Sequence, residues 1–396
     1  MAAFSSARLA RVDALLHRAV EQGTIAGAVV LLWRRGTVRA SYVGEQAPAG
    51  PPMRRESLFR IASVTKPILA VATLALVEEG RLTLDGSVEP WLPELASRRV
   101  LRAPRAPLQE SMPAQRPISV RDLLTMRCGL GALDFLDGPK APLRSAMEEA
   151  GVAPGPFAFA GDSDDFMRRI GALPLAHQPG ERWLYHTASD ILGVLLARCE
   201  GKPLGAVLQE RVLGPLGMTD TGFSVPEAQI GRLTAACRAR PDGALELFDP
   251  AQGGRFAAPP LFESGGGGLV STADDLLALG RMMLSGGRHG DLRVLGRNTV
   301  AAMVTDQITP AQKAASPFFP GFWEARGWGL GVGVVTHRDG PAGSPGRFGW
   351  DGGFGTSFWC DPAEELIGVL LTQRMWDAGW MTLYEAFWNG VYAALD

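Results

Sequence analysis

Strand-forming sequence is confined to the two ends of this 396-residue chain, and this distribution restricts the folds it can adopt. Near the N-terminus, residues 25–33 and 37–43 are rich in apolar and β-branched residues. They flank the turn Arg34-Arg35-Gly36, which predicts an antiparallel hairpin. Further strands are predicted at residues 329–337, 346–350, 355–360 and 366–373, with a turn at Asp361-Pro362. We therefore expect an antiparallel sheet to which both ends of the chain contribute.

Helical patterns cover the ends of the chain and fill its middle. They span residues 7–22, 63–80, 118–126, 187–199, 203–213, 272–285 and 381–395. Residues 129–181, rich in Gly, Pro and Asp, form a long variable loop of the kind that often shapes a substrate pocket. We predict an α+β fold, an α/β sandwich whose antiparallel sheet is flanked by N- and C-terminal helices. Residues 1–95 and 255–396 make this domain, residues 96–254 make an inserted, mostly helical domain, and the active site lies between them.

Charge and composition exclude several partners. The formal net charge is −2 and no basic patch is present, which argues against nucleic acid. Residues 7–22 alternate charged and apolar side chains, unlike a signal peptide, and no apolar run is long enough to span a membrane. We therefore expect a cytoplasmic protein. Its four widely spaced cysteines are expected to be free thiols, and its five histidines show no metal-ligand spacing, so no metal or cofactor is predicted.

The sequence Ser63-Val64-Thr65-Lys66 carries the strongest chemical signal. At the start of a helix, residues three apart share a face, so the Ser63 hydroxyl and the Lys66 amine can meet. A serine hydroxyl needs an adjacent base to become a nucleophile, and lysine serves only when its pKa is lowered. Lysine is rare here, with four among 39 basic residues, and this is the one Ser-x-x-Lys sequence in the chain. Taken alone, the motif is equally compatible with a capping serine followed by an exposed lysine.

The context of this motif resembles family VIII carboxylesterases, which are relatives of class C β-lactamases and D-alanyl-D-alanine peptidases. Three segments carry the resemblance in the same chain order: Phe59–Lys66, Pro179–Thr187 and Phe348–Gly353. Residues 215–218 and 266–272 also match, so the likeness extends over roughly residues 10–390. The resemblance implies a β-lactamase/transpeptidase-like fold and a serine esterase acting on small to medium acyl groups through an acyl-enzyme.

The resemblance also implies roles for individual residues. Ser63 is the nucleophile, Lys66 and Tyr185 are the acid/base pair, and the N–H groups of Ser63 and Gly353 form the oxyanion hole. Substrate-binding positions are Trp350, Asp351, Gly352 and Thr187, with Thr187 standing where the family has Asn. Trp350 occupies the place of a β-lactamase lysine that offers a cation to a substrate carboxylate. An indole offers one N–H and an apolar face, which favours neutral esters as small-molecule substrates.

Several alternatives remain open. An acyltransferase would use the same acyl-enzyme, a β-lactamase or D-amino-peptidase the same three residues, and a binding protein would need none of them. An α/β-hydrolase is rejected because the chain lacks Gly-x-Ser-x-Gly. His186 is a weaker candidate base, since adjacent side chains in a strand or turn diverge. The glycines at 265–268 predict a tight turn before a helix rather than a phosphate-binding loop. The sequence does not predict an oligomeric state.

Overall fold

The computed structural model describes residues 3–133 and 140–396, and its centre is an antiparallel sheet of seven strands. The strands are β1 (Gly27–Arg34), β2 (Thr37–Gly44), β3 (Arg326–Trp328), β4 (Gly333–Val335), β5 (Phe348–Gly352), β6 (Thr356–Asp361) and β7 (Leu366–Thr372). Their order across the sheet is β3-β4-β5-β6-β7-β1-β2, so the N-terminal hairpin pairs with the last strand of the chain. The predicted sheet built from both ends of the chain is confirmed.

One predicted strand is wrong in detail. Residues 329–337 do not form a single strand, because the chain reverses between β3 and β4. Gly331 lies at this reversal with a φ of +84°, a conformation that costs glycine little and other residues more. The apolar pattern of the segment concealed this turn, since strands on both sides of it are buried.

Thirteen α-helices surround the sheet within the described residues. They are α1 (Ser6–Glu21), α2 (Thr65–Glu78), α3 (Val120–Leu124), α4 (Pro142–Glu149), α5 (Ser163–Ala172), α6 (Thr187–Glu200), α7 (Leu204–Leu208), α8 (Gly214–Leu216), α9 (Ala273–Leu284), α10 (Arg297–Met303), α11 (Pro310–Ala314), α12 (Phe322–Ala325) and α13 (Ala378–Ala393). Ser119 caps α3 through a capping box with Asp122, and Thr272 caps α9. The predicted helix at 203–213 is α7 followed by a π-helical turn, Gln209–Leu213.

Helices cover both faces of the sheet. Gly280 of α9 lies against Ile367 of β7, while the next strand residue, Gly368, lies against Trp388 of α13. Successive strand residues face opposite sides, so α9 and α13 lie on opposite faces. Helix α1 packs beside α13. The result is the predicted α/β sandwich.

Helix α2 is buried along most of its length, as its largely apolar sequence predicts. Every residue from Thr65 to Leu76 is buried, including Lys66. The helix therefore fixes its first turn, and the residues just before it, rigidly within the core.

The segment between β2 and β3 carries most of the helices. Residues 96–254 contain α3 to α8 and two short strand pairs, Arg99–Leu101 with Ser111–Pro113 and Ala236–Ala239 with Leu245–Asp249. The division into two domains at residues 95 and 255 stays a prediction. In the predicted variable loop, 129–181, residues 134–139 lie outside the described residues, and the remainder holds α4 and α5. Across residues 3–133 and 140–396, no helix has the length and apolar character needed to cross a bilayer.

Candidate active site

Ser63 lies in a short 3₁₀ turn, Ala62–Val64, immediately before α2. Ala62 adopts a φ of +45°, which an L-residue rarely adopts and which a tightly packed surrounding must enforce. That surrounding includes β6, where the Thr356 hydroxyl donates to the carbonyl of Ile61 at 3.0 Å. The turn leaves Ser63 9% exposed at the floor of a cleft.

Lys66 lies one turn further along α2 and is 1% exposed. Its Nζ lies 2.9 Å from Ser63 Oγ and donates to the carbonyl of Gly266 at 2.6 Å. Burial lowers the pKa of Lys66 from 10.5 to about 7, against an opposing effect of the Asp190 charge. A substantial fraction of this amine is therefore neutral at neutral pH, as a base for Ser63 must be.

Tyr185 stands above the serine and lysine in the segment that precedes α6. Its ring centroid is 4.7 Å from Lys66 Nζ, and its hydroxyl accepts a hydrogen bond from Trp350 Nε1 at 2.6 Å. Burial raises the pKa of Tyr185 above its ordinary value, although its hydrogen bonds with Ser63 and Trp350 act in the opposite direction. Tyr185 therefore stays protonated at neutral pH and is a proton donor rather than an ionised base.

The glycine turn at residues 265–268 contacts Lys66 through the Gly266 carbonyl. It is a tight turn, as predicted, and leads through the short strand Val270–Ser271 to α9. Its contact with Lys66 was not predicted from the sequence. A Cβ at Gly266 would lie 2.9 Å from the His186 ring and 3.0 Å from Asp190 Oδ1. The run of glycines was the available signal, because it marks a backbone that other groups approach closely.

His186 is also part of the site, so the expectation that its side chain diverges from Tyr185 is wrong. Its Nδ1 lies 3.3 Å from Lys66 Nζ, and its Nε2 lies 3.3 Å from Asp190 Oδ2. The reason is the backbone of His186, which has a φ of +88° and a ψ of −65°. This reversal turns two adjacent side chains toward the same lysine, which a regular strand or turn does not do.

The predicted substrate-binding residues occupy different environments. Gly353 is exposed in the cleft, where a Cβ would meet no atom within 4 Å, and Trp350 forms part of the wall. Asp351 borders the cleft but is 7% exposed. It accepts hydrogen bonds from Ser357 Oγ at 2.6 Å, Trp359 Nε1 at 2.8 Å and the Tyr384 hydroxyl at 3.1 Å. Asp351 therefore ties β5 to β6 and α13.

Two of these residues do not reach the cleft. Gly352 packs against the nucleophile turn, where a Cβ would overlap the Ile61 carbonyl and the Thr356 hydroxyl. Thr187 is 2% exposed at the start of α6, and its hydroxyl has no hydrogen-bond partner within the described structure. The predicted substrate contacts of Gly352 and Thr187 are corrected accordingly, because close packing encloses both.

The cleft over Ser63 has a volume of about 1100 Å³ and a wall that contains many aromatic side chains. The wall includes Phe157, Phe318, Phe319, Phe322, Phe354 and Trp376. Arg326 is the basic side chain among the described residues that line it, whereas five carboxylates do so: Glu324, Asp339, Asp351, Asp377 and Glu385. The charges around this cleft disfavour an anionic ligand. No group of three or more His, Cys, Asp or Glu suited to a metal occurs among the described residues.

A serine beside a buried lysine of lowered pKa, under an open cleft in this sandwich fold, defines a serine hydrolase. The Beta-lactamase family model matches residues 12–379, and the chain belongs to that family.

Similar proteins place it in the esterase branch. Protein Rv1367c of Mycobacterium tuberculosis (strain ATCC 25618 / H37Rv) is 39% identical over 370 residues, which cover 91% of this chain and 89% of that protein. Esterase EstB of Burkholderia gladioli is 34% identical over 406 residues, covering 97% of this chain and 95% of EstB. The solved structure of EstCE1, described as a hydrolase with promiscuous acyltransferase activity, superposes with a TM-score of 0.80 at 26% identity and covers 97% of this chain and 98% of EstCE1. The predicted resemblance to family VIII carboxylesterases is confirmed, and the protein is a carboxylesterase of the serine hydrolase class.

Proposed function

We propose that the protein hydrolyses neutral carboxylic esters carrying a bulky apolar group, through an acyl-enzyme on Ser63. The observation that carries the proposal is the 2.9 Å contact between Ser63 Oγ and the Nζ of Lys66, whose pKa burial lowers to about 7. A neutral amine at this distance can take the hydroxyl proton as the oxygen attacks the ester carbonyl carbon.

The remaining steps use groups around that contact. The backbone N–H groups of Ser63 and Gly353 stabilise the tetrahedral oxyanion, at about 3 kcal/mol for one donor. Protonated Tyr185 gives its proton to the leaving alcohol and recovers one from Lys66. A water molecule then attacks the acyl-enzyme carbonyl, loses its proton to the same pair, and releases the acid and Ser63.

The cleft supports the substrate class. Its aromatic side chains suit an apolar acyl or alcohol group, and the exposed carboxylates of Glu324, Asp339 and Glu385 disfavour a substrate carboxylate. The Trp350 side chain carries no positive charge to bind a substrate carboxylate, and its N–H already donates a hydrogen bond to the Tyr185 hydroxyl. These features argue against efficient turnover of anionic β-lactams.

Hydrolysis of p-nitrophenyl acetate, butyrate and octanoate, with nitrocefin alongside, tests the proposal. Ser63→Ala should abolish ester turnover, whereas the control Ser285→Ala, which removes an exposed serine, should retain it. Equal activity of wild type and Ser63→Ala contradicts the nucleophile assignment. Strong nitrocefin turnover contradicts the neutral-substrate assignment, and a ligand-binding function without turnover would survive Ser63→Ala.

Acyl transfer is a second candidate, supported by the size of the cleft, which can admit an alcohol as well as the acyl group. The EstCE1 description is consistent with it. Adding a primary alcohol to the p-nitrophenyl butyrate assay separates the two reactions. A transferase forms the new ester at constant p-nitrophenol release, whereas a strict hydrolase forms only butyrate.

We also propose a cytoplasmic location. All four cysteines, Cys128, Cys199, Cys237 and Cys360, are unpaired, which suits a reducing compartment. Cell fractionation tests this, and recovery of the protein outside the cytoplasmic fraction contradicts it.

A further inference from the structure

His186 occupies an unusual backbone conformation at the centre of the site. A φ of +88° with a ψ of −65° is the strained γ-turn region, which a non-glycine residue rarely adopts. The surrounding structure must hold it there. The conformation brings the Tyr185 ring and the His186 imidazole onto the same amine of Lys66.

Asp190 fixes which nitrogen of His186 carries the proton. Burial opposes ionisation of Asp190, but hydrogen bonds from His186, Ser264 and the Gly266 N–H together lower its pKa. The Ser264 hydroxyl and the Gly266 N–H both donate to Oδ1, at 2.6 and 2.9 Å. An ionised carboxylate only accepts hydrogen bonds, so the His186 Nε2 facing Oδ2 must carry the hydrogen.

The other nitrogen of His186 is therefore an acceptor. Burial lowers the pKa of His186, and Lys66 lowers it further whenever the amine is protonated, so the ring stays neutral despite the opposing effect of Asp190. A neutral imidazole that donates from Nε2 has a lone pair on Nδ1. This lone pair faces Lys66 Nζ at 3.3 Å.

These acceptors match the hydrogen-bonding needs of a neutral lysine. A neutral amine has two N–H groups and one lone pair, and the Gly266 carbonyl and His186 Nδ1 accept the two N–H groups. The lone pair is left for the Ser63 hydroxyl at 2.9 Å. We propose that His186, oriented by Asp190, is a positioning residue that aims the lone pair of Lys66 at Ser63. This role rests on the proposed function of Ser63 and Lys66.

A matched pair of substitutions tests which nitrogen matters. In His186→Asn the amide oxygen takes the place of Nδ1, and asparagine tolerates positive φ better than most residues. In His186→Gln the amide nitrogen takes the place of Nε2, so the bond to Asp190 persists and the acceptor for Lys66 is lost. We expect His186→Asn to keep kcat within about tenfold of wild type and His186→Gln to lose about 100-fold. A role that depends only on the bond to Asp190 predicts the opposite order. The free energies of unfolding of the two variants, measured alongside kcat, separate loss of the acceptor from backbone strain at this positive φ.

Asp190→Asn tests the proton assignment through the pH profile. The amide oxygen must keep accepting from Ser264 and Gly266, so its NH₂ faces His186 Nε2 and forces the ring hydrogen onto Nδ1. That hydrogen then competes with Ser63 for the Lys66 lone pair, and kcat should fall about 100-fold at every pH.

In wild type the negative charge of Asp190 raises the pKa of Lys66. Asp190→Asn removes that charge, so the acid limb of kcat/KM should also move to lower pH. The titratable groups facing Lys66 are His186 and Tyr185 from the γ-turn and Asp190 from α6. A packing defect that leaves the Asp190 charge in place lowers activity without moving the limb. His177→Gln, which removes a buried imidazole away from Lys66, is the control and should leave the limb in place.

The outcomes separate the two proposals. Turnover remaining in Ser63→Ala contradicts the proposed function itself. Complete loss in Ser63→Ala, with equal activities for His186→Asn and His186→Gln, contradicts only the positioning role. An unmoved acid limb in a folded Asp190→Asn protein contradicts the ionised Asp190 on which the proton assignment rests. The His186 pair decides the matter if Asp190→Asn does not fold.

Discussion

Replacing Lys66 with methionine separates a buried neutral base from a lysine of ordinary basicity. Lys66 is 1% exposed, and burial lowers its pKa from 10.5 to about 7. Methionine fills a similar volume without the amine. We expect Lys66→Met to lose esterase turnover, because it removes the amine that lies 2.9 Å from Ser63 Oγ and takes its proton. The same change should alter how stability depends on pH.

The magnitude follows from the difference between the folded and unfolded pKa values. One pKa unit corresponds to about 1.4 kcal/mol, so burying Lys66 costs the native state about 5 kcal/mol at pH 7 and below. The variant avoids this cost but leaves the Gly266 carbonyl and His186 Nδ1 without a donor, at about 1–3 kcal/mol each. Those losses reduce the absolute gain in stability without affecting its pH dependence.

The sign of that dependence is fixed. Between pH 7 and 10 the unfolded chain holds a proton on Lys66 that the native protein has largely released, so wild-type stability rises with pH. The slope from this one group is about 1.4 kcal/mol per pH unit. Lys66→Met lacks the contribution, so the free energy of unfolding of the variant minus that of wild type should fall by about 3 kcal/mol from pH 7.5 to 9.5.

Denaturant unfolding followed by tryptophan fluorescence at pH 7.5, 8.5 and 9.5 measures this difference. Lys140→Met, which removes an exposed lysine, controls for the loss of a lysine as such. A difference that stays constant with pH would falsify the reasoning, because it would mean that Lys66 keeps its proton throughout this range. Such a lysine could not act as the base for Ser63.

Three further outcomes follow from the site. Trp350→Phe keeps an aromatic ring in the wall but removes the N–H that donates to Tyr185. The kcat on p-nitrophenyl butyrate should fall about fivefold, the equivalent of about 1 kcal/mol. An unchanged kcat would show that this hydrogen bond does not assist turnover. Gly266→Ala places a Cβ 2.9 Å from the His186 ring, so kcat should fall at least tenfold while the circular dichroism spectrum stays native. Full activity would contradict the close packing of this turn. In wild type, kcat/KM should rise with pH through about 7 as Lys66 becomes neutral, whereas a flat profile from pH 5.5 to 8.5 argues for a different base.

The sequence predicted much of the fold because the relevant signals are local. Apolar periodicity and turn residues predicted the hairpin of β1 and β2 and the last three strands of the sheet. The prediction of one strand over residues 329–337 was wrong because the chain turns at Gly331. A turn between two buried strands causes no change in the polarity of the sequence. The turn before β4, which confines the strand within 329–337 to Gly333–Val335, therefore became visible only in the structure.

The candidate site divides in the same way. Three-residue spacing on a helix predicted that Ser63 and Lys66 would meet, and they lie 2.9 Å apart. Tyr185 and Trp350 were predicted as site residues from the family resemblance. That resemblance gave no reason to expect the hydrogen bond from Trp350 Nε1 to the Tyr185 hydroxyl. His186 was underrated because its orientation depends on a γ-turn that histidine has no intrinsic preference to form.

The sequence by itself determined the order of strands and helices and the pairing of a serine with a lysine, because both depend on residues a few positions apart. Tertiary structure alone decided whether that lysine could act as a base. Its pKa depends on desolvation by the packed core, and its lone pair is directed by His186 and Gly266, 120 and 200 residues away along the chain. Desolvation and hydrogen-bond direction are set by all the atoms around a group, and only folding brings those atoms together.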